Sequence, residues 1–308
     1  MIISLIVTVV GLSLFETISS IDNAVINAEV LGTMSKRARK WFLLWGMIFA
    51  VFIVRGLLPW IIVWAFNPSL GPVQAFMSTL SGNLAVRNSI EKSAPILLMA
   101  GGIFLVFLFL YWLFLEDKKF GLPRTEKFFM QKGIWFYAVV SIVLAIVSYF
   151  ALKQNNMMAF GAVIGSTLFF ITHGFKQNAE EKEKKIKGGG GSDLSKLFFL
   201  EIIDATFSID GVLGAFAFTL SVPLILLGNG LGAIIVRQLT VGNIERIKKY
   251  IYLKNGAMYS ILVLGAIMIA HSFGAKIPEY VSPLATFLII GFFFWKSKRH
   301  IKINIKNG

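Results

Sequence analysis

The sequence contains no cysteine. Disulfides, thiolate metal sites and cysteine nucleophiles are excluded together. Histidine is nearly as scarce. His173, His271 and His300 are the full set, too few for a histidine-rich metal centre. Charge is scarce as well: only 15% of the 308 residues are Asp, Glu, Lys or Arg, against roughly 25% in an average soluble domain. No convincing nucleophile–base pair or phosphate-binding loop is present, so an enzyme is not expected. What fills the gap is apolar. Hydrophobic residues make up 56% of the chain and the mean hydropathy is +0.74. One compact soluble core cannot bury so many Phe, Ile, Leu and Val side chains, whereas a bilayer accepts them without burial in protein.

Apolar runs of about 20 residues, the length a helix needs to cross the hydrocarbon core, predict nine spans. They fall at roughly 2–32, 41–66, 94–115, 134–152, 157–175, 197–219, 222–243, 256–273 and 280–295. The expected fold class is an all-α polytopic membrane protein. The first run has no basic start and is interrupted by Glu16, so it does not read as a signal peptide.

The positions of the basic residues test the span count. Of 30 Lys and Arg, 24 fall in alternate connections: 1–2, 3–4, 5–6, 7–8 and the C-terminal tail. Only Arg87, Lys92, Lys153 and Lys276 fall on the other side, and Arg55 and Arg237 lie within spans. This alternation predicts a plasma-membrane protein with its N-terminus outside and its C-terminus cytoplasmic. The net charge of +14 is thereby read as a topology signal, and no nucleic-acid partner is expected.

Residues 176–196 read KQNAEEKEKKIKGGGGSDLSK, which predicts a flexible cytoplasmic linker. Within it, 188–192 is GGGGS, either a natural loop or an engineered replacement. Residues 67–92 carry Pro68 and Pro72, then apolar residues at helical spacing from Val73 to Leu84. That pattern fits a short interfacial or re-entrant helix, or an ordinary loop. The Trp residues lie mostly near span ends, as an aromatic belt requires.

The chain contains an internal repeat. Phe15–Val25 reads FETISSIDNAV, and Ile203–Val212 reads IDATFSIDGV. Aligned on Ser-Ile-Asp, Glu16 matches Asp204, Ser20 matches Ser208, and Asp22 matches Asp210. In each half the next span carries Val-Arg, at Arg55 and Arg237. Five crossings separate the two motifs, so their helices run in opposite directions. This is the inverted-topology plan of many secondary transporters. It divides the chain into a first repeat at 1–115, connecting spans and linker at 116–196, a second repeat at 197–273, and a last span and basic tail at 274–308.

An ionised side chain in mid-bilayer costs at least about 2.5–3.5 kcal/mol. Glu16, Asp22, Glu201, Asp204 and Asp210 must therefore face the protein interior, with Arg55 and Arg237 orienting and balancing them. Glu16, Ser20, Asn23 and Asn27 share one helical stripe, as do Glu201, Asp204 and Ser208. Asp22 and Asp210 fall off those stripes. Either they face a second neighbour, or each helix breaks near Ser-Ile-Asp and frees carbonyl oxygens beside the acids. The expected metal ligands are Glu16, Ser20, Asp22, Asn23, Glu201, Asp204, Ser208 and Asp210. These hard oxygens suit Mn²⁺, Ca²⁺ or Mg²⁺ as substrate. Five acids cannot all stay ionised together without a cation, so binding one would release protons. Gly228, Gly230 and Gly232 read as helix-packing positions, and Asn229 beside them as a helix–helix hydrogen bond or an added ligand.

The two acidic motifs, each followed by a membrane arginine, resemble the TerC integral membrane proteins, and most closely a branch long described only as a domain of unknown function. The resemblance covers about residues 1–66 and 197–295. It implies the LysE-type transporter superfamily, with inverted repeats and divalent-metal handling, chiefly manganese efflux. The motif positions carry over onto Glu16, Asp22 and Asn23, and onto Asp204, Asp210 and Gly211. Where the first half has Asp-Asn the second has Asp-Gly, so one amide is missing from the symmetric position. The expected function is export of a divalent cation, Mn²⁺ foremost, by alternating access in exchange for protons. The resemblance also carries a rival reading, a membrane-protein assembly or metal-stress factor that does not itself transport. Tellurite export ranks below both, because a carboxylate-rich site repels oxyanions. Oligomeric state, a homo-oligomer included, stays open at this level.

Overall fold

The computed structural model describes residues 2–46, 48–49, 55–66, 71–73, 84–116, 125–187, 192–242, 249–278 and 280–307. The described residues are helical, with no strand. The helices are α1 (Ile2–Ser19), α2 (Ile21–Gly32), α3 (Lys36–Trp41), α4 (Arg55–Phe66), α5 (Leu84–Leu115), α6 (Thr125–Met130), α7 (Phe136–Gln154), α8 (Asn156–Lys187), α9 (Asp193–Ala215), α10 (Val222–Gly242), α11 (Leu253–Ser272) and α12 (Val281–Asn307). A π-helical segment, Phe42–Gly46, continues α3.

Among the described residues, five segments are long and apolar enough to cross a membrane: Ile2–Ser19, Ser93–Leu115, Gly133–Gln154, Asn156–Phe175 and Leu253–Ser272. They coincide with the first, third, fourth, fifth and eighth predicted spans. The chain is an all-α polytopic membrane protein. The sixth predicted span is α9, whose apolar run is interrupted by Glu201, Asp204 and Asp210. The seventh contains a shorter apolar stretch, Val222–Gln238.

The core is built around α5. Leu97, Met99, Ile103, Phe104, Phe107 and Trp112 are buried there, against residues of α8 and α11. Trp112 is thus a core residue and not part of an interfacial belt, whereas Trp41, Trp45, Trp135 and Trp295 are exposed. On α7, Ile142, Ile146, Tyr149 and Phe150 point outward. Such an apolar exterior is the surface a bilayer solvates.

Two expectations change. The linker predicted at 176–196 is helical as far as Lys187, as the continuation of α8. Glu180/Lys184, Glu181/Lys185 and Glu183/Lys187 fall at i,i+4 spacing, and Glu and Lys are good helix formers. Only 188–191, within the glycine run, lies outside the described residues. The stretch predicted at 67–92 as a separate short helix or a loop is helical from Leu84, continuous with the third span. α5 starts at Leu84 and carries Pro95 inside it. Residues 67–70 and 74–83, where an interfacial helix was considered, lie outside the described residues.

Contacts gather the basic connections at one end of the bundle. The backbone N–H of Ser35 donates to Asp193 Oδ1 at 3.3 Å, and Lys196 Nζ donates to the Thr33 carbonyl at 3.2 Å. These join connections 1–2 and 5–6. The Ser35 hydrogen bonds hold the Asp193 carboxyl below the usual carboxylate range. Lys254 pairs with Glu116, and Tyr252 N–H donates to Ser297 Oγ at 3.0 Å. These join connections 3–4 and 7–8 and the tail.

At the same end, buried Glu126 of α6 accepts from Asn255 Nδ2 and Tyr259 Oη, each at 3.1 Å. Glu126→Ala is expected to lower stability by about 2 kcal/mol, because a buried donor, Asn255, and a partly buried one, Tyr259, lose their acceptor. Thermal unfolding in detergent checks this.

Candidate functional site

The two motif helices run side by side. The Phe15 ring lies over Gly214, and the Glu16 carboxylate lies against Gly211. Asn27 Nδ2 donates to Asp204 Oδ1 at 2.9 Å. The Thr33–Lys196 and Ser35–Asp193 hydrogen bonds complete the seam. As the first number rises from 15 to 35 the second falls from 214 to 193, so α1–α2 and α9 are antiparallel.

The S-I-D elements differ between the halves. The first helix is interrupted at Ser20 alone, where φ is −90° and ψ is 6°. Ser20 N–H still donates to the Glu16 carbonyl at 3.1 Å, and Ala24 N–H to the Ser20 carbonyl at 2.9 Å. The interruption is therefore a single-residue irregularity that leaves these carbonyls bonded. α9 runs unbroken through Ser208 and Asp210 to Ala215. Of the two alternatives, a pair of broken helices with freed carbonyls is not what forms.

Two polar layers result. In one, Glu16 is 1% exposed and its Oε1 accepts from Ser20 Oγ at 3.0 Å. Its side chain passes between α9 and α10. A Cβ on Gly232 would lie 2.6 Å from Glu16 Cβ and 2.8 Å from the Ser13 carbonyl, and a Cβ on Gly211 would meet Glu16 Oε2. Gly228 receives Leu12 one turn away. Gly228 and Gly232 thus serve close packing, as their spacing predicts. Asn229, fully buried, donates to the Gly211 carbonyl at 3.3 Å. This is the helix–helix hydrogen bond.

In the other layer, Asp204 is 6% exposed and joins both halves. Its Oδ1 accepts from Asn27 of α2, and its Oδ2 lies 3.6 Å from Arg237 Nη2 of α10. The Arg237 guanidinium lies 4.0 Å from the Phe42 ring centroid in the π-helical segment. Glu201 sits one turn before Asp204. Both its carboxylate oxygens are buried without a hydrogen-bond partner among the described residues. A Cβ on Gly46 would strike Glu201 Oε1 and lie 3.1 Å from Arg237 Nη2. Glu201, Asp204 and Arg237 therefore share one pocket, which the missing side chain of Gly46 leaves open. Ser208 Oγ donates to the Asp204 backbone carbonyl at 2.5 Å, so here it turns away from the carboxylate.

Gly211 and Asp204 are seven residues apart on α9, about 10 Å along the axis. Glu16 and Asp204 thus stand in separate layers, and not around one centre. Asp210 is half-buried beside Gly211. The side chains of Asp22, Asn23 and Arg55 lie outside the described residues. Among the described residues, no group of three or more His, Asp or Glu side chains could hold a metal ion. The donor types suit a hard cation, but this conformation does not gather them.

The sequence reading placed Asn27 on the polar stripe without choosing it as a site residue, and missed Gly46 and Phe42. The stripe was the signal for Asn27. Nothing local distinguishes Gly46. His173 packs between Tyr111 and Phe169 and lies 3.1 Å from Gln177 Nε2, while His271 donates to the Ile277 carbonyl at 3.1 Å. Neither is near the two layers.

The sequence matches the family model described as protein of unknown function (DUF475), over residues 21–304. The chain belongs to this family. The matched region takes in Asp22, Arg55, Glu201, Asp204, Asp210 and Arg237, and begins after Glu16 and Ser20. No curated protein and no solved structure matches the chain.

Proposed function

We propose that the chain is a secondary transporter that exports a divalent metal cation, Mn²⁺ foremost, across the plasma membrane by alternating access and in exchange for protons. The observation that carries this reading is Asp204. It is a carboxylate buried in the helix bundle, held at once by Asn27 from the first half and Arg237 from the second. A buried acid that bridges two antiparallel halves is placed to feel their relative movement. Glu201 and Glu16 put further carboxylates along the same seam. The likeness of both motifs to the TerC proteins points the same way.

In the conformation described, Arg237 neutralises Asp204. A cation and Arg237 compete for that carboxylate, so the loaded state is one in which Arg237 has moved aside. The acids of the two layers, with Asp22 and Asp210, then supply hard oxygen ligands, and protons they hold are released. Arg55 plays the balancing role in the first half.

The test is Mn²⁺ entry into liposomes carrying the purified protein, with Ca²⁺ and Mg²⁺ run in parallel. Mn²⁺ flux with counter-movement of protons is expected. Asp22→Asn or Asp210→Asn is expected to reduce it to the level of empty liposomes while the protein still folds. Undiminished flux in either variant would overturn that residue's assignment. No flux of any divalent ion from intact protein would favour the assembly-factor reading.

A further inference from the structure

We infer that the basic end of α12, with Lys249–Tyr252 ahead of α11, is a binding site for anionic phospholipid headgroups. α12 has 27 residues, about 40 Å of helix, and exceeds the roughly 30 Å hydrocarbon core. Its apolar part ends at Trp295. Lys298 and Arg299 follow at about 26 Å from the start of the helix. As the ninth predicted span, α12 would carry them to the depth of the headgroups.

The basic side chains there are seated on aromatic rings. Lys296 Nζ lies 4.5 Å from the Tyr252 ring, Lys298 Nζ 5.0 Å from the Phe294 ring, and the Arg299 guanidinium 5.8 Å from the Trp295 ring. Each seat holds a cation while leaving its polar hydrogens free to donate to a phosphate. Tyr250 stacks on Phe294 at 4.9 Å, and the buried Ser297 hydroxyl fixes Tyr252 through its backbone N–H. The frame beneath the cations is thus built from two segments of the chain.

Charge complementarity names the occupant. Lys249, Lys298, Arg299 and Lys302 are exposed on this end. The carboxylates that the described structure places here are already engaged, Glu116 by Lys254 and Glu126 by Asn255 and Tyr259. Trp295, Phe292 and Phe294 are exposed beside the cations. A ligand with an anionic head and apolar tails matches both surfaces, as a phospholipid does. The inference is independent of what, if anything, the protein transports.

The test is native mass spectrometry of the full-length protein with equal amounts of phosphatidylglycerol and phosphatidylcholine. Preferential retention of phosphatidylglycerol is expected. Lys298→Gln/Arg299→Gln/Lys302→Gln should weaken it on the order of tenfold or more. Lys36→Gln/Arg37→Gln/Lys40→Gln removes as many charges from α3 at the same end, where no such seat occurs among the described residues, and should leave most of it. Matching melting temperatures in phosphatidylcholine establish that both variants fold. No preference in the native protein, full retention in the α12 variant, or an equal loss in both variants would overturn the site.

Discussion

Asp204→Asn is expected to abolish cation flux and to destabilise the protein by about 3–5 kcal/mol, the usual cost of leaving one member of a buried ion pair alone. The substitution keeps shape and an acceptor oxygen, so the bond from Asn27 can survive. What disappears is the charge opposite Arg237. Adding Arg237→Gln to Asp204→Asn removes the stranded cation. Stability should then recover by more than half while flux stays absent, because the carboxylate that binds cation is still missing. Glu201 complicates the single variant in a readable way. Its carboxylate shares the Gly46 pocket with Arg237, so it can take over as partner. In that case the loss falls at the low end of the range, and Glu201→Gln on the Asp204→Asn background exposes the rest. Thermal unfolding in detergent and Mn²⁺ entry into liposomes give the two readouts. Native flux in Asp204→Asn would remove this residue from the transport pathway.

The membrane class was legible from composition because lipid leaves an apolar exterior that water does not tolerate. The seam between motif helices was also legible. Acids in an apolar run must face inward, and Glu16 and Asp204 do. The antiparallel course of α1–α2 and α9 followed from counting crossings. What was not legible is how the acids are distributed along the seam. Spacing on one helix says which residues share a face, and nothing about the register against a helix nearly two hundred residues away. Glu16 therefore meets Gly211 rather than joining Asp204. Gly46 became visible only once Glu201 and Arg237 were found against it. The charged end of α8 was misread for a different reason. Low hydrophobicity was taken as flexibility, although Glu and Lys at i,i+4 spacing sustain a helix without a core.

Gly211→Asn tests the asymmetry between the halves. In the sequence Gly211 is the gap in the repeat, because its counterpart is Asn23 and an amide ligand is missing. If the gap were a lost ligand, restoring Asn should strengthen cation binding. The packing predicts the reverse. The Glu16 carboxylate lies where a Gly211 side chain would begin, and Gly232 closes the other side of Glu16. Glu16 is 1% exposed, so its carboxylate does not open onto solvent where it stands. Overpacking at such a site costs about 1–3 kcal/mol. The backbone shift it forces would also strain the Asn229 bond to the Gly211 carbonyl. Gly211→Asn is thus expected to lower the melting temperature and to reduce flux, with no gain in cation affinity. Gly211→Ala should do the same more mildly. Combining Gly211→Asn with Glu16→Ala clears the space, and the double variant should be more stable than Gly211→Asn alone, a coupling that only contacting residues show. Native stability with tighter cation binding in Gly211→Asn would mean that the carboxylate of Glu16 does not rest there. As it stands, the glycine is the room the first half's acid needs inside the second half, and the repeat is asymmetric because only one of two facing positions can hold a side chain.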